Sequence, residues 1–545
     1  MKPVCSPPIL LVIAAAAWAG DVDRGLERIL QATPTGQTVS TLVFVKDQLN
    51  VAALDAYFER QAVPRKDRAL VIVPALQLQA ELTQGALRAE LAALRAAGRV
   101  RRFEALWINN SFRVDATPEI IRAIAARDDV GTVYYNYEIE PIQPVESAAD
   151  PFSDGGPDAP EIGLVRINVP QVWALGITGT GVLVSNMDTG VQLHTALKDR
   201  WAGTADPRYQ GHPEWAWFDP SGLWHTPDDA NGHGTHTMGT VCGGPPGDEI
   251  GAAPGAFWIA AAPRAQWPPV HTFELMLSFQ WLLNPDNDPN TTWDIPDTNS
   301  NGWGLTTGHG YPPCDQTFWS FIDNCEAAGT VVLFAAGNES FGGLRRPADR
   351  ATDDYNVCAV AAVNANNPSL PIASFSSRGP TNCTPNGQPF IKPNIAAPGV
   401  NVRSAWRGGT YQSLSGTSLA APHINGVAAL MLEACPRLSV KQVKDIMYKT
   451  AMDKGNPGKD NDYGWGVVDA LAAVNMAKAN CGLRGDLNCD GVVNNFDIDP
   501  FVLALTDPAA YKLKYPNCDI MNGDCNGDGK VDNFDIDPFV NLLSP

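Results

Sequence analysis

Apolar and polar positions along the chain follow three textures, and each predicts a different architecture. From about Thr38 to Ile142 the period keeps changing. "TVSTLVFV" and "GTVYYNYEIEPI" are rich in β-branched and aromatic residues and read as strands. "VAALDAYFERQ" and "QAELTQGALRAELAALRAAG" repeat apolar residues at helical spacing. "FEALWINNSFRV" predicts further strands, and "TPEIIRAIAARDDV" a helix with a Thr cap and Pro in its first turn. The sum is a small α+β unit. From about Glu161 to Asn480 the strands "GVLVSNMD", "GTVVLFAAGN" and "VCAVAAVNA" are almost continuously apolar, as strands buried on both faces of a parallel sheet are. Helical segments such as "TFWSFIDNCEAA" and "PHINGVAALMLEA" intervene, so this part reads as α/β with helices on both faces. The third texture is a repeat: "GDLNCDGVVNNFDIDPFVLAL" from Gly485 returns as "GDCNGDGKVDNFDIDPFVNLL" from Gly523.

Between the first two textures, Gln143–Pro160 ("QPVESAADPFSDGGPDAP") is rich in Pro, Gly, Asp and Ser without apolar period, and reads as a linker or cleavable loop. The N-terminus has Lys2, an apolar run Ile9–Ala19 and Ala17-Trp18-Ala19, the pattern of a secretory signal cut before Gly20. The predicted boundaries are therefore 1–19 signal, 20–150 N-terminal unit, 151–480 α/β domain and 481–545 repeat module. A chain of 545 residues exceeds one core. Its formal net charge of -20 argues against non-specific nucleic-acid binding. Much of the acidity is local, with eleven Asp, no Glu and three Lys from Gly485 to Pro545. Cys5 leaves with the signal, and the ten remaining cysteines of an exported chain predict disulfides of unassigned pairing. No CxxC spacing suggests zinc.

Four stretches of the α/β part carry candidate chemistry: "NMDTGV" with Asp188, "NGHGTHTMGT" with His233, "FAAGNES" with Asn338 and "SGTSLAAPH" with Ser418. A serine hydroxyl needs an adjacent base, and imidazole has the pKa for it. A buried carboxylate must hold that imidazole, and a tetrahedral intermediate needs donors for its oxyanion. The chain offers one candidate for each role. The Trp-rich stretch His212–His225 just before His233 reads as a packed loop with aromatic anchors, the sharper alternative being a substrate-contacting rim.

"DTG", "GHGTH", "AAGN" and "GTSLAAPH" in this order, with "GAAPGA", "SFSSRGP" and "PNIAAPGVNV", resemble the subtilisin-like serine proteases (subtilases), in wording closest to their bacillopeptidase F-like branch. The resemblance covers most of Gly163–Asn480. It implies a subtilisin-like three-layer α/β domain with a mostly parallel sheet, preceded by an α+β propeptide that assists folding and blocks the groove. It also implies that Asp188 orients, His233 is general base and acid, and Ser418 attacks. Asn338 and the Ser418 N–H would form the oxyanion hole, and His236 would support its helix. Asn299–Gly304 ("NSNGWG") stands where the branch has an Asn-Ser-Trp-Gly segment along the substrate groove, so Gly302, Trp303 and Gly304 are expected to bind substrate through backbone pairing. Gly302 takes the place of the usual serine, and Leu419 that of a methionine. The expected activity is secreted serine endopeptidase, against an inactive subtilase-fold binding protein or a non-peptidase serine hydrolase.

In the tail, Asp486, Asn488, Asp490, Val492 (through its carbonyl) and Asp497 occupy EF-hand loop positions 1, 3, 5, 7 and 12, with Gly491 at 6 and Asn494 at 9. Asp524, Asn526, Asp528, Lys530 (carbonyl) and Asp535 repeat the set, with Gly529 and Asp532 between. The pair resembles a dockerin-type module, which implies Ca2+ and a cell-surface or cohesin-like docking partner. The recognition positions read Asn495-Phe496 and Asn533-Phe534. Cys481, Cys489, Cys518 and Cys525 are expected to brace this small module.

Overall fold

Asp21–Val22 (β1), Val39–Val45 (β2), Val100–Leu106 (β3), Ser111–Ala116 (β4) and Val130–Tyr135 (β5) form a five-stranded sheet in the order β1-β5-β2-β4-β3. β2 pairs antiparallel with β4 and β5, and β1 runs parallel to β5. The computed structural model describes residues 20–545 except 62, 140–141, 143, 146–158, 245–248, 264–269, 491, 517, 527–529 and 544–545. The expected signal, most of the expected linker, and Asp528 with Gly491 and Gly529 of the cation loops lie outside the described residues.

These residues group into two compact units. The smaller comprises 20–48, 79–105 and 110–136. Leu26, Leu30, Val43, Leu87, Leu91, Phe112, Ile120, Ile124 and Val133 form its core. The helical pairs Leu87/Leu91 and Ile120/Ile124 meet alternate residues of the strands, so two periods share one apolar layer. The expected α+β unit is thus present, but not as one continuous stretch. Residues 49–78 and 106–109 belong to the larger unit. The helix read from Gln79 begins ten residues earlier, running Ala69–Ala96 through Pro74.

In the larger unit Leu183–Met187 (β6), Trp217–Phe218 (β7), Phe257–Ala261 (β8), Thr298–Asn301 (β9), Val331–Ala335 (β10), Cys358–Val363 (β11) and Ile395–Pro398 (β12) form a seven-stranded sheet, order β12-β11-β10-β9-β6-β8-β7. Every pairing is parallel. The strand order reverses between β6 and β9, and clefts in such sheets open beyond the carboxyl ends of strands at that point. β9 reads Thr-Asn-Ser-Asn, yet all four residues are buried. Its two asparagines bond to each other and to β6: Asn299 Nδ2 donates to Ser185 Oγ at 2.9 Å, Ser185 Oγ to the Thr298 carbonyl at 3.0 Å, and Asn301 Nδ2 to Asn299 Oδ1 at 2.7 Å. A buried polar strand survives only with such partners.

The helix Thr417–Ala434 packs against β9–β12 and is buried from Thr417 to Leu432. A helix apolar all round belongs inside a domain. Ile424, Val427, Leu430 and Met431 each contribute about 1.5–3 kcal/mol by leaving water. Val402–Trp406 (β13) and Thr410–Leu414 (β14) form a hairpin leading into this helix.

In the tail, helices Ile498–Thr506 and Ile536–Leu543 follow the two loops, with Pro508–Lys514 between them. Phe501 and Phe539, equivalent positions of the repeat, stack at 4.1 Å over a core of Leu487, Ala504 and Tyr511. Disulfides join Cys314–Cys383, Cys435–Cys481 and Cys489–Cys518. This corrects the expected bracing of the module. Only Cys489–Cys518 closes within it. Cys481, just past the helix Ala470–Ala479, reaches Cys435 at the end of the Thr417–Ala434 helix, and Cys525 stays a thiol, as do buried Cys242, Cys325 and Cys358.

Candidate active site

β6 delivers Asp188 one residue past its end. His233 opens the helix His233–Cys242, and Ser418 is the second residue of Thr417–Ala434. His233 Nδ1 donates to Asp188 Oδ1 at 2.7 Å, and His233 Nε2 lies 2.9 Å from Ser418 Oγ, from which it accepts. All three side chains are buried. In so dry a setting a carboxylate–imidazole bond is stronger than in water and fixes the tautomer. Three chain segments 45 and 185 residues apart therefore form one proton relay.

The local sequence explains the alignment. Asp229 anchors the entry to the histidine helix, accepting from the N–H groups of Asn231, Gly232 and Thr235 and from Thr235 Oγ1. Asn231 Oδ1 accepts from the His233 N–H at 3.1 Å. Gly234 must be glycine, because a Cβ there would lie 2.0 Å from the Gly190 carbonyl oxygen. Asn186 of β6 donates to the Gly234 carbonyl at 3.0 Å, and Asn425 of the serine helix to the Ser185 carbonyl at 3.0 Å. β6 thus ties both helices to the strand that carries the carboxylate. Pro422 is deeper in the serine helix than its first turn, so the carbonyl it leaves without a helical donor is that of Ser418.

Asn338 follows β10. Its Oδ1 accepts from the Thr417 N–H at 2.9 Å and Thr417 Oγ1 at 3.0 Å, which sets the orientation of its amide. A Cβ built on Gly416 would stand 3.1 Å from Ser418 Oγ and 3.3 Å from Asn338 Nδ2. The missing side chain leaves a cradle between hydroxyl and amide donor, of the size of one oxygen. Burial and the neighbouring His233 push His236 down to about 3. Neutral His236 bonds through Nε2 to the carbonyls of Val402 and Gln412 at 3.1 and 2.9 Å, holding β13 and β14.

In the segment Gly302–Gly304, expected to pair with substrate through its backbone, the side-chain positions are closed off. The bare α-carbon of Gly302 faces the relay: a Cβ would be 2.5 Å from Asp188 Oδ2 and 3.0 Å from His233 Cε1. Trp303 does not offer its side chain to a groove. It is buried with Phe279, Phe318 and Phe334, its Nε1 bonded to Asn301 Oδ1 at 3.1 Å. Gly304 is covered by Arg345, so only main chain in this segment can meet a substrate. The Trp-rich stretch packs: Trp217 is buried with its Nε1 on the Trp224 carbonyl, and Asp219 gathers the N–H groups of Ser221, Leu223 and Trp224.

The family model described as the subtilase family (peptidase S8) matches residues 179–466. The chain belongs to the subtilase family. It is 30% identical over 488 residues to bacillopeptidase F of Bacillus subtilis (strain 168), an alignment covering 84% of this chain and 32% of that protein. This subtilase thus matches about a third of the length of that relative. Subtilisin Savinase of Lederbergia lenta is 31% identical over 314 residues, covering 57% of this chain and 97% of that protein. The fold is similar to that of fervidolysin from Fervidobacterium pennivorans, described as a keratinolytic enzyme related to subtilisin, with a TM-score of 0.56 and 21% identity over 85% of this chain and 64% of that one.

Sequence reasoning missed Asp229, Gly416 as a cradle, and the partner of Val145. Asp229 is a common capping residue in a Gly/Asp-rich loop and carried no distinct signal. The N–H of Val145 donates to the carbonyl of Ser415, three residues before Ser418, at 2.7 Å.

In the tail, buried Asp497 accepts from the N–H groups of Leu487 and Asn488 through Oδ1 and of Asn494 through Oδ2. Asp535 repeats this with Asn526 and Asp532. Asp490 Oδ1 accepts from the Val492 N–H at 2.9 Å, and Asp486 Oδ1 from the Asp490 N–H at 3.2 Å. Among the described residues no three His, Cys, Asp or Glu side chains converge as metal ligands.

Proposed function

We propose that this subtilase is a secreted serine endopeptidase made as a zymogen, with a calcium-binding C-terminal docking module. The observation that carries the reading is the Asp188–His233–Ser418 relay at 2.7 and 2.9 Å beside the Gly416 cradle. Ser418 Oγ attacks a peptide carbonyl as His233 Nε2 takes its proton. Asp188 stabilises the imidazolium. The oxygen of the tetrahedral intermediate enters the cradle, where Asn338 Nδ2 and the Ser418 N–H, at the positive end of its helix, receive it. His233 then protonates the leaving amine, and water repeats the sequence on the acyl-enzyme.

The N-terminal part up to Ile142 is the propeptide in this reading, cut within Gln143–Pro160. The Val145–Ser415 bridge supports it, because it carries the chain past the nucleophile as an added strand would. A matured enzyme that is active yet retains Thr38–Ile142 would sink this part. Secretion rests on the N-terminal pattern; among the described residues no helix is long and apolar enough to cross a membrane.

The donor sets Asp486, Asn488, Asp490, Val492 carbonyl, Asp497 and Asp524, Asn526, Asp528, Lys530 carbonyl, Asp535 are all hard oxygen, which fits Ca2+. Bound there, the ion supplies the positive charge that lets each acidic loop close. Phe496 and Phe534, 79% and 78% exposed at equivalent positions, support a protein docking partner for the module.

The decisive experiment is fluorophosphonate labelling of the secreted protein, with the modified residue located by peptide mass spectrometry. Labelling at Ser418 that disappears in His233→Ala supports the reading. Absence of label in correctly processed, calcium-loaded protein would refute it.

A further inference from the structure

β9 and β10 are neighbours in the sheet, and the chain continues past both toward the relay. Past β9 it runs through Gly302–Gly304, and past β10 through Ala336, Gly337 and Asn338. Gly302 faces Asp188 and His233. The Gly337 N–H donates to Thr417 Oγ1 at 3.1 Å, which sets the second segment against the start of the serine helix. In the endopeptidase reading, on which this inference rests, the attacked carbonyl turns its oxygen to Asn338 Nδ2 while the substrate main chain pairs along Gly302–Gly304. The side chain of that same substrate residue then falls between the two segments. Both offer it little but backbone, with glycine at 302, 304 and 337 and alanine at 336. Gly337 has φ 118°, which disfavours any side chain there.

Arg345 fills the far end of this slot. Its N–H donates to the Ala336 carbonyl at 3.0 Å, and Arg346 exchanges main-chain bonds with Leu305 at 2.8 and 2.9 Å, so residues 345–346 bridge the two segments. A Cβ built on Gly304 would lie 2.7 Å from Arg345 Cβ and 3.0 Å from its Cδ, and one built on Gly337 would lie 3.0 Å from its Cγ. One arginine stem thus lies against both glycines, and its side chain is only 12% exposed. The guanidinium is tied down as well. Nε and Nη2 donate to Glu339 Oε1 at 2.8 and 2.6 Å, and Nη1 to the Gly304 carbonyl at 3.3 Å. Glu339 Oε2 accepts from Ser377 Oγ at 3.1 Å. Moving Arg345 aside would break three hydrogen bonds and leave the carboxylate without its cation.

We propose that Arg345 sets the specificity of this subtilase for the residue whose carbonyl is attacked. The slot ends at the arginine stem, so the enzyme cuts after short, uncharged side chains such as alanine, and not after large apolar or aromatic ones. Charge of either sign is disfavoured, because a basic side chain meets the guanidinium and an acidic one meets Glu339.

Fluorogenic peptides that differ only in alanine, phenylalanine, lysine or glutamate before the cleaved bond test this on the matured enzyme, with active sites counted by fluorophosphonate titration. The kcat/KM for alanine should exceed each of the others by at least about tenfold. Arg345→Ala should raise the phenylalanine-to-alanine ratio by at least about tenfold. Glu339→Gln keeps the shape but removes the counter-charge, and should raise the glutamate-to-alanine ratio by about as much. These ratios hold whatever fraction of a variant folds. A parent enzyme that prefers phenylalanine, or either ratio unmoved in its variant, would overturn the assignment and leave the endopeptidase reading standing. A labelled enzyme that cuts none of the peptides would overturn that reading and the assignment with it.

Discussion

Gly416→Ala should disable catalysis without unfolding the protein. The backbone there is extended, with φ 167° and ψ 159°, a conformation any residue adopts, so alanine brings no backbone strain. What it brings is a methyl group 3.1 Å from Ser418 Oγ, 3.3 Å from Asn338 Nδ2 and 3.1 Å from Leu419 Cδ2. The leucine can yield by a few tenths of an ångström. The space between hydroxyl and amide, however, is where the oxygen of the intermediate has to go. Loss of one oxyanion donor costs about 10²–10³ in kcat, or about 2.7–4 kcal/mol, and a filled cradle should cost the same. Asn338→Ala removes the donor instead of the space, so it should match that loss. The double variant should then lose little more than either alone, because both act on one interaction. Steady-state hydrolysis of a fluorogenic peptide, with active sites counted by fluorophosphonate titration and Tm from calorimetry, measures all three. A Gly416→Ala enzyme within about threefold of the parent, or a double variant whose losses multiply, would refute the cradle argument.

Asp188→Asn should lower kcat by about 10⁴ with little change in Tm, since the amide keeps the shape but holds the wrong imidazole tautomer; an unchanged kcat in the same peptide assay would contradict the relay. Gly426→Ala puts a Cβ 2.6 Å from Ala252 Cβ and 2.9 Å from the Val241 carbonyl, forcing the serine and histidine helices apart, and should destabilise by about 1–3 kcal/mol in urea melts. Replacing Cys435 and Cys481 by serine frees a loop of 46 residues and should lower stability by at most about 4 kcal/mol. Lys392 is fully buried, and its ammonium is pushed down to about 7. Between there and its unfolded pKa the unfolded chain binds the extra proton, so this group makes stability rise with pH from about 7 to about 10. Lys392→Met should flatten that rise in melts at pH 7, 8 and 9, and an unaltered slope would contradict the assignment.

How much of this was legible in the sequence depended on the kind of physics involved. Asp188, His233, Asn338 and Ser418 stand out because each sits at a strand end or helix start among glycines, a local pattern that the fold needs for close approach. β6, β10 and β11 are visible because a strand buried on two faces is written almost wholly in apolar residues. β9 is not, since its burial is met by hydrogen bonds from Asn299, Asn301 and Ser185 rather than by apolarity. The backbone role expected of Trp303 comes from its motif, but the place of its indole does not: only three-dimensional packing reveals that Phe279, Phe318 and Phe334 enclose it. Cys481 pairs outside its module because the Ala470–Ala479 helix carries it to Cys435, a fact of direction that spacing does not encode. Patterns that a site needs locally can thus be read along the chain, whereas groups that matter through what surrounds them become visible only when the chain is folded.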